Sequence, residues 1–104
     1  MAAETYTDGA RGFELTVLTM DRLVFRRRVY GVTLPASLGS MGVLPGHIPY
    51  LATLGRGDLR VKAKESDQPA KIADVDGGFV EVEKGRVTVF ADAVEGVEPE
   101  PAEE

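Results

Sequence analysis

The sequence contains no cysteine, no tryptophan, no asparagine and a single histidine, His47. Without cysteine the chain can form neither a disulfide nor a thiolate metal site. One histidine also excludes a multi-histidine zinc site within one chain. No apolar run approaches the roughly 18 residues that a transmembrane helix needs. Because the first residues are polar and acidic, we expect no signal peptide either.

Catalytic residue patterns are equally sparse. His47 is the only side chain suited to act as a general base at neutral pH. No serine follows the nucleophile-elbow pattern, and neither common glycine-rich phosphate-binding motif occurs. Asp74 and Asp76 would share one face of a strand and could hold a hard cation with a third ligand, but a polar strand end is the favoured interpretation. We therefore expect no catalytic residues, no cofactor and no metal.

Length and charge indicate one small domain with an acidic end. The 104 residues, 43% of them hydrophobic, can bury one core. The first 91 residues carry 12 basic and 11 acidic side chains, whereas six acidic and no basic ones follow from Asp92 onward. A nearly neutral body does not suit a nucleic-acid ligand. The proline-bearing residues 93–104 predict a disordered acidic tail, which is either a solubilising end or a recognition element.

Apolar and polar residues alternate in several segments, as is typical of half-buried strands. The apolar members are Phe13, Leu15 and Val17, then Leu59, Val61 and Ala63, and then Val80 and Val82. Glycine, proline and aspartate clusters between the segments mark turns, and no window shows a helical stripe. The sequence predicts an all-β fold, a two-sheet β-sandwich over residues 13–92, preceded by a flexible segment at 1–12.

One eight-residue segment, 42–49, concentrates two glycines, two prolines and His47. Glycine permits backbone angles that other residues avoid, and proline fixes φ and removes a hydrogen-bond donor. The segment therefore predicts a rigid loop. Rigid loops held on a β scaffold often present a surface to a partner, and an ordinary turn between two strands is the alternative interpretation.

Four motifs in order carry a family resemblance. They are GSMGVLPGHIPYL at 39–51, GDLRV at 57–61, DGGFVEV at 76–82 and VTVFAD at 87–92. Together they resemble the N-terminal domain of the ε subunit of F-type ATP synthases, a two-sheet β-sandwich. The resemblance spans residues 13–92. Because the motifs end at Asp92, we expect a short form that lacks that family's C-terminal helical pair.

The resemblance implies a non-catalytic rotor subunit that docks on the γ subunit and the c-ring and couples rotation to ATP synthesis in a proton- or ion-driven enzyme. It implies γ contacts at Thr19, Pro45, Gly46 and His47. It implies that the c-ring faces a turn formed by Leu38, Gly39, Ser40, Met41 and Gly42. Some relatives have an acidic residue where this chain has Ser40, which puts charge pairing there in question. Met41 would then supply an apolar contact or simply be a core residue.

The same resemblance implies a peripheral protein on the cytoplasmic side of the bacterial inner membrane, with the plastid thylakoid as the alternative. It implies no nucleotide binding. The alternative function is a free-standing β-sandwich that binds a small ligand or carbohydrate, which would need clustered aromatic side chains. The basic run at 26–28 is either a solvated edge strand or a surface for acidic partners or lipid headgroups. Tyr50 and Leu51 are expected in the core, with exposed contacts as the alternative.

Overall fold

The computed structural model describes residues 12–37, 39–43, 49–64 and 66–96, and every regular element within them is a β-strand. The strands are β1 (Phe13–Leu18), β2 (Leu23–Val29), β3 (Gly31–Ala36), β4 (Gly39–Val43), β5 (Tyr50–Thr53), β6 (Arg56–Lys62), β7 (Ala70–Glu83) and β8 (Arg86–Glu95). This part of the chain contains no helix that could cross a membrane. The last strand continues beyond Asp92 because Ala93 to Glu95 pair with β7.

The two sheets share the long strand β7, and β8 follows it into both, since Ala93 to Glu95 pair with the first half of β7. The second half of β7 pairs with β5, and its first half pairs with β6. Between the halves Gly77 and Gly78 have φ values of 72° and 108°, which residues with side chains rarely adopt. One sheet therefore has the order β2-β1-β8-β7-β5 and the other continues from β7 through β6 and β3 to β4. The predicted all-β sandwich is confirmed.

Alternating side chains from both sheets form one core. The predicted inward residues of β1 and β7 are buried, as are Leu59 and Val61 on β6. Ala63 is exposed, contrary to the alternation, because β6 ends at Lys62. The buried set is Phe13, Leu15, Val17, Val24, Phe25, Val29, Val32, Leu34, Val43, Leu54, Leu59, Val61, Ala73, Val75, Val80, Val82, Val87, Val89 and Ala91. Burial of these apolar side chains is the main force that holds the sheets together.

The basic run occupies β2, an edge strand of the first sheet. Arg26 Nε lies 3.2 Å from Glu14 Oε2 on β1. Arg27 pairs in register with the buried Leu15, which places it on the core-facing side of the edge. Its guanidinium lies 5.8 Å from the Phe25 ring centroid. A charge on the inner side of an edge strand discourages pairing with other sheets, so the structure favours the solvated-edge interpretation.

Candidate docking face

A tight turn joins β1 to β2, and Thr19 organises it. The Thr19 backbone nitrogen donates to the Arg22 carbonyl at 3.0 Å. The Thr19 hydroxyl accepts a hydrogen bond from the Asp21 nitrogen at 3.3 Å. These bonds replace solvent contacts of the turn backbone. They hold Met20 at the tip, where it is 92% exposed.

Apolar side chains cross the outer side of the first sheet. Cross-strand pairing aligns Leu23 with Leu18, Leu18 with Phe90, and Phe90 with Phe79. Residues paired in this way share one face of a sheet, and this face points away from the core because the alternating neighbours Val17, Val80 and Val89 are buried. The two phenylalanine rings stack with centroids 4.7 Å apart. The row thus crosses β2, β1, β8 and β7, which are neighbours in the sheet.

Strand β5 extends this surface at the sheet edge. Leu51 pairs with Glu81, on the same outer side as Phe79, and is 64% exposed. Tyr50 is also exposed, and partial burial raises the pKa of its phenol. Both residues were expected in the core, and the structure shows instead that they are exposed, because β5 is a short edge strand. We call Leu18, Leu23, Leu51, Phe79 and Phe90 the apolar face.

The outer side of the second sheet is chemically opposite, since it carries an ion-pair lattice. Arg60 lies 2.9 Å from Asp58, and Lys71 lies 3.6 Å from Asp58 and 3.1 Å from Asp74. The hydrogen bond from Arg60 lowers the pKa of Asp58, and the hydrogen bond to Asp74 raises the pKa of Lys71. Charges satisfied in this way in solvent do not require a partner protein.

The contrast between the two outer sides identifies which one suits docking. A contiguous apolar row on a sheet surface marks an interaction site. The charged side chains on the outer side of the second sheet instead pair with one another while exposed to water. Thr19, predicted from the sequence as a γ contact, lies directly after Leu18 at one end of the apolar face. Pro45, Gly46 and His47 lie outside the described residues, although in sequence they precede β5 by only a few positions.

The residues expected to form a turn toward the c-ring are arranged differently. Gly39 to Val43 form strand β4, which pairs with β3 along its whole length. The paired residues run from Ala36 opposite Gly39 to Val32 opposite Val43. The turn interpretation is therefore wrong for Gly39, Ser40, Met41 and Gly42, because backbone pairing with β3 continues to the end of that strand. Ser40 is exposed, and Met41 packs against the core. Leu38 lies outside the described residues.

The two aspartates considered for a cation are engaged in ion pairs. Asp74 pairs with Lys71 at 3.1 Å, and Asp76 lies 3.5 Å from Arg56. No group of three or more potential ligands forms among the residues that the structure describes. The favoured sequence interpretation, a polar strand end, is wrong, because β7 continues through Gly77 and Gly78 to Glu83 and the two aspartates lie within it.

Sequence reasoning missed the apolar face, although a signal for it was present. Leu18 follows Glu14 and Thr16 in the outward series of β1, and Phe79 and Phe90 occupy outward positions beside buried valines. An apolar residue in an otherwise polar series departs from the half-buried pattern. Only the strand register shows that these departures adjoin one another.

The fold and this face define a small all-β sandwich domain with one apolar outer side. A family model described as ATP synthase, Delta/Epsilon chain, beta-sandwich domain matches residues 12–97, so the chain belongs to that family. It corresponds to the N-terminal domain of the F-type ATP synthase epsilon subunit. The resemblance that the motifs indicated is confirmed.

Individual relatives agree with the family match. The ATP synthase epsilon chain of Synechococcus elongatus is 43% identical over 76% of this chain and 56% of its own length. That of Anoxybacillus flavithermus is 40% identical over 82% of this chain and 61% of its own length. That of Lactiplantibacillus plantarum is 34% identical over 85% of this chain and 62% of its own length. The chain thus spans about three-fifths of the length of these curated relatives.

Solved structures show the same fold. A chain of the Euglena gracilis mitochondrial ATP synthase, in a structure described as OSCP/F1/c-ring, superposes with a TM-score of 0.68 at 25% identity, covering 91% of this chain and 61% of that chain. A chain of the Tetrahymena thermophila mitochondrial ATP synthase, in a structure described as central stalk/c-ring, superposes with a TM-score of 0.65 at 13% identity. The superposition covers 82% of this chain and 66% of that chain. At that identity the second likeness shows the fold alone.

Proposed function

We propose that this epsilon-type chain is a non-catalytic rotor subunit whose apolar face docks on the γ subunit of the ATP synthase. The observation that carries the proposal is the apolar row across four strands, which lies on the outer side of a sheet. A surface of this kind buries apolar area on association, which is the main driving force for protein docking.

The positions implied by the family resemblance adjoin this face. Thr19 and the exposed Met20 lie at the β1–β2 end. The segment that contains His47 leads through Pro49 directly into β5, which carries Leu51. A docking surface made of a sheet face, the β1–β2 turn and the segment that precedes β5 would hold the domain in a fixed orientation, as the transmission of torque requires.

The contact with the c-ring is proposed at the opposite edge of the sandwich. Ser40 is exposed on β4, the last strand of the second sheet. In this arrangement the domain bridges γ and the ring and couples ion-driven rotation to ATP synthesis. It would thus be a peripheral protein on the cytoplasmic side of the bacterial inner membrane. The family match favours this function over a free-standing carbohydrate-binding module.

The γ contact is tested by titrating the purified γ subunit into matched variants in a calorimeter. Leu51→Gln should weaken binding about tenfold, equivalent to about 1.4 kcal/mol, because it places an amide in the apolar contact. Arg56→Gln, at an exposed position on the other outer side, should leave the affinity unchanged. Equal affinities in both variants would reject the apolar face as the γ interface.

The ring contact is tested by crosslinking. Ser40→Cys introduces the only thiol in the chain, since the sequence has no cysteine. We expect disulfide formation with cysteines placed in the polar loops of the ring subunit in assembled complexes. A cysteine at Thr88, on the outer side of the first sheet, is the control and should not react with the ring. Crosslinking of Ser40→Cys to the catalytic head instead would reverse the proposed orientation.

A further inference from the structure

Strand β5 leaves one side of its backbone open. Among the described residues it pairs only with β7, to which the Leu54 N–H also donates. The Thr53 carbonyl instead accepts from the Ser37 N–H, on the side away from β7. Because backbone groups alternate between the two sides of a strand, the N–H and C=O of Leu51 and the N–H of Thr53 also point away from β7. No hydrogen bond joins these three groups to another described residue.

Ser37 closes one end of this open edge. Its N–H lies 3.0 Å from the Thr53 carbonyl oxygen, and its hydroxyl lies 2.8 Å from the Thr53 hydroxyl. An isolated bridge between Ala36 and Leu54 continues the closure beyond β5. The open part of the edge is therefore confined to the strand itself, Tyr50–Thr53, and a strand added there would be short.

The β5 edge lacks the protection that the opposite edge of the same sheet carries. Strand β2 has three consecutive arginines, and Arg27 lies on its core-facing side. Such charges discourage pairing with another strand. Strand β5 contains neither a charged residue nor a proline. Another uncharged edge is β4, which the proposed function turns toward the ring, so unprotected edges coincide with surfaces assigned to partners.

We propose that the γ subunit adds an extended strand to the open edge of β5, bonded to the backbone of Leu51 and to the N–H of Thr53. The inference rests on the proposed γ docking and assigns its backbone component. In strand addition, main-chain hydrogen bonds supply affinity and alternating side chains supply specificity. The added strand would lie about 4.8 Å from β5, and its side chain opposite Leu51 would continue the apolar face.

The position of Leu51 favours γ over a second copy of this chain as the occupant. Leu51 belongs to two surfaces, because its side chain is 64% exposed on the outer side while its backbone faces the open edge. If two copies paired edge to edge, their sheets would lie side by side and both apolar faces would remain open to solvent. One partner that supplies a strand and lies over the outer side covers both surfaces.

Amide hydrogen exchange in the full chain tests the proposal. In the free chain we expect slow exchange at Ala52, whose N–H points to β7, and fast exchange at Leu51 and Thr53. An excess of purified γ subunit should slow exchange at Leu51 and Thr53 by about tenfold or more. Nuclear Overhauser contacts between the Leu51 amide and backbone protons of γ would identify a paired strand rather than burial alone.

Two substitutions at one position separate the backbone from the side chain. Leu51→Pro removes an N–H that points away from β7, and edge strands tolerate proline at such positions. Leu51→Val keeps the N–H, and valine has as many side-chain carbons as proline. In titration calorimetry Leu51→Pro should bind γ about tenfold more weakly than Leu51→Val, because it leaves a carbonyl of γ unpaired. Thermal unfolding shows whether each free variant is folded.

The outcomes distinguish strand addition from docking by the apolar face alone. Equal affinities of Leu51→Pro and Leu51→Val, with binding still weakened in Leu51→Gln, would overturn the strand and retain the face. Protection of the Leu51 amide in the free chain would also overturn the strand, because the edge would then be occupied. So would Overhauser contacts between labelled and unlabelled copies without γ.

Two remaining results are also decisive. If the unmodified chain does not bind γ, both the strand and the proposed function are wrong. If Leu51→Pro does not fold, the exchange rates and Overhauser contacts of the unmodified chain with γ decide. Absence of both protection and contacts at Leu51 in that complex would overturn the proposal.

Discussion

Gly78 lies directly against the backbone of Phe90, so close that a Cβ at position 78 would collide with the Phe90 carbonyl oxygen. Gly78 pairs with Ala91, the residue after Phe90, where β7 passes from one sheet to the other. Two independent features require glycine at this position. The φ of 108° is one that residues with side chains rarely adopt, and the Phe90 backbone leaves no space for a Cβ.

Gly78→Ala should therefore be strongly destabilising. Strain at the backbone and displacement of β8 together predict a loss of about 2–5 kcal/mol in the free energy of unfolding. The matched control is Gly85→Ala, where φ is 78° but an added Cβ meets open space. That variant should lose only about 1–2 kcal/mol. Urea unfolding followed by circular dichroism measures both, and equal losses would show that the contact with Phe90 carries no cost.

Arg27 offers a test of edge protection. Replacing it with valine removes a charge from the core-facing side of β2, where it lies opposite Leu15. Arg27→Val should fold but self-associate at high concentration, since an uncharged edge can pair with another sheet. Analytical ultracentrifugation measures the association. Arg28→Val, on the outer side of the same strand, is the control and should remain monomeric. If Arg27→Val also remains monomeric, Arg27 does not protect the β2 edge from pairing.

His47 remains a prediction from the sequence. His47→Ala should weaken γ binding by about 1–2 kcal/mol with folding intact, because contact energy concentrates in a few central residues. Gly46→Val should weaken γ binding further if Gly46 has a positive φ, because valine would distort the loop itself. Titration calorimetry measures both affinities. Thermal unfolding of each variant provides the control, and unchanged affinity in both variants would remove this segment from the interface.

The sequence predicted most of the fold because strand alternation is a local property. Leu15 and Val82 alternate with polar neighbours, and both are fully buried. The apolar face could not be predicted in the same way. Leu18 and Phe90 are far apart in sequence and adjoin only because β1 runs parallel to β8. That pairing depends on the long-range register, which alternation within a single strand does not contain.

Strand β4 shows a second limit of sequence reasoning. Its residues Gly39 to Val43 are small or weakly alternating, so alternation did not indicate a strand, and the turn expected at Gly39 to Gly42 came from the family resemblance. The partner strand β3 supplies the pairing that forms a strand instead. An edge strand was likewise one of two interpretations of the basic run, but the inward position of Arg27 required the register with Leu15.

The shared strand β7 also determines how the molecule carries mechanical load. In a sandwich of two separate sheets, a force on one outer side reaches the other only through side-chain contacts that can slide. Here β7 pairs with β5 in one sheet and with β6 in the other. A twisting force on the apolar face thus passes to β6 through peptide bonds and backbone hydrogen bonds. The domain deforms as one stiff body rather than as two plates that shear past each other.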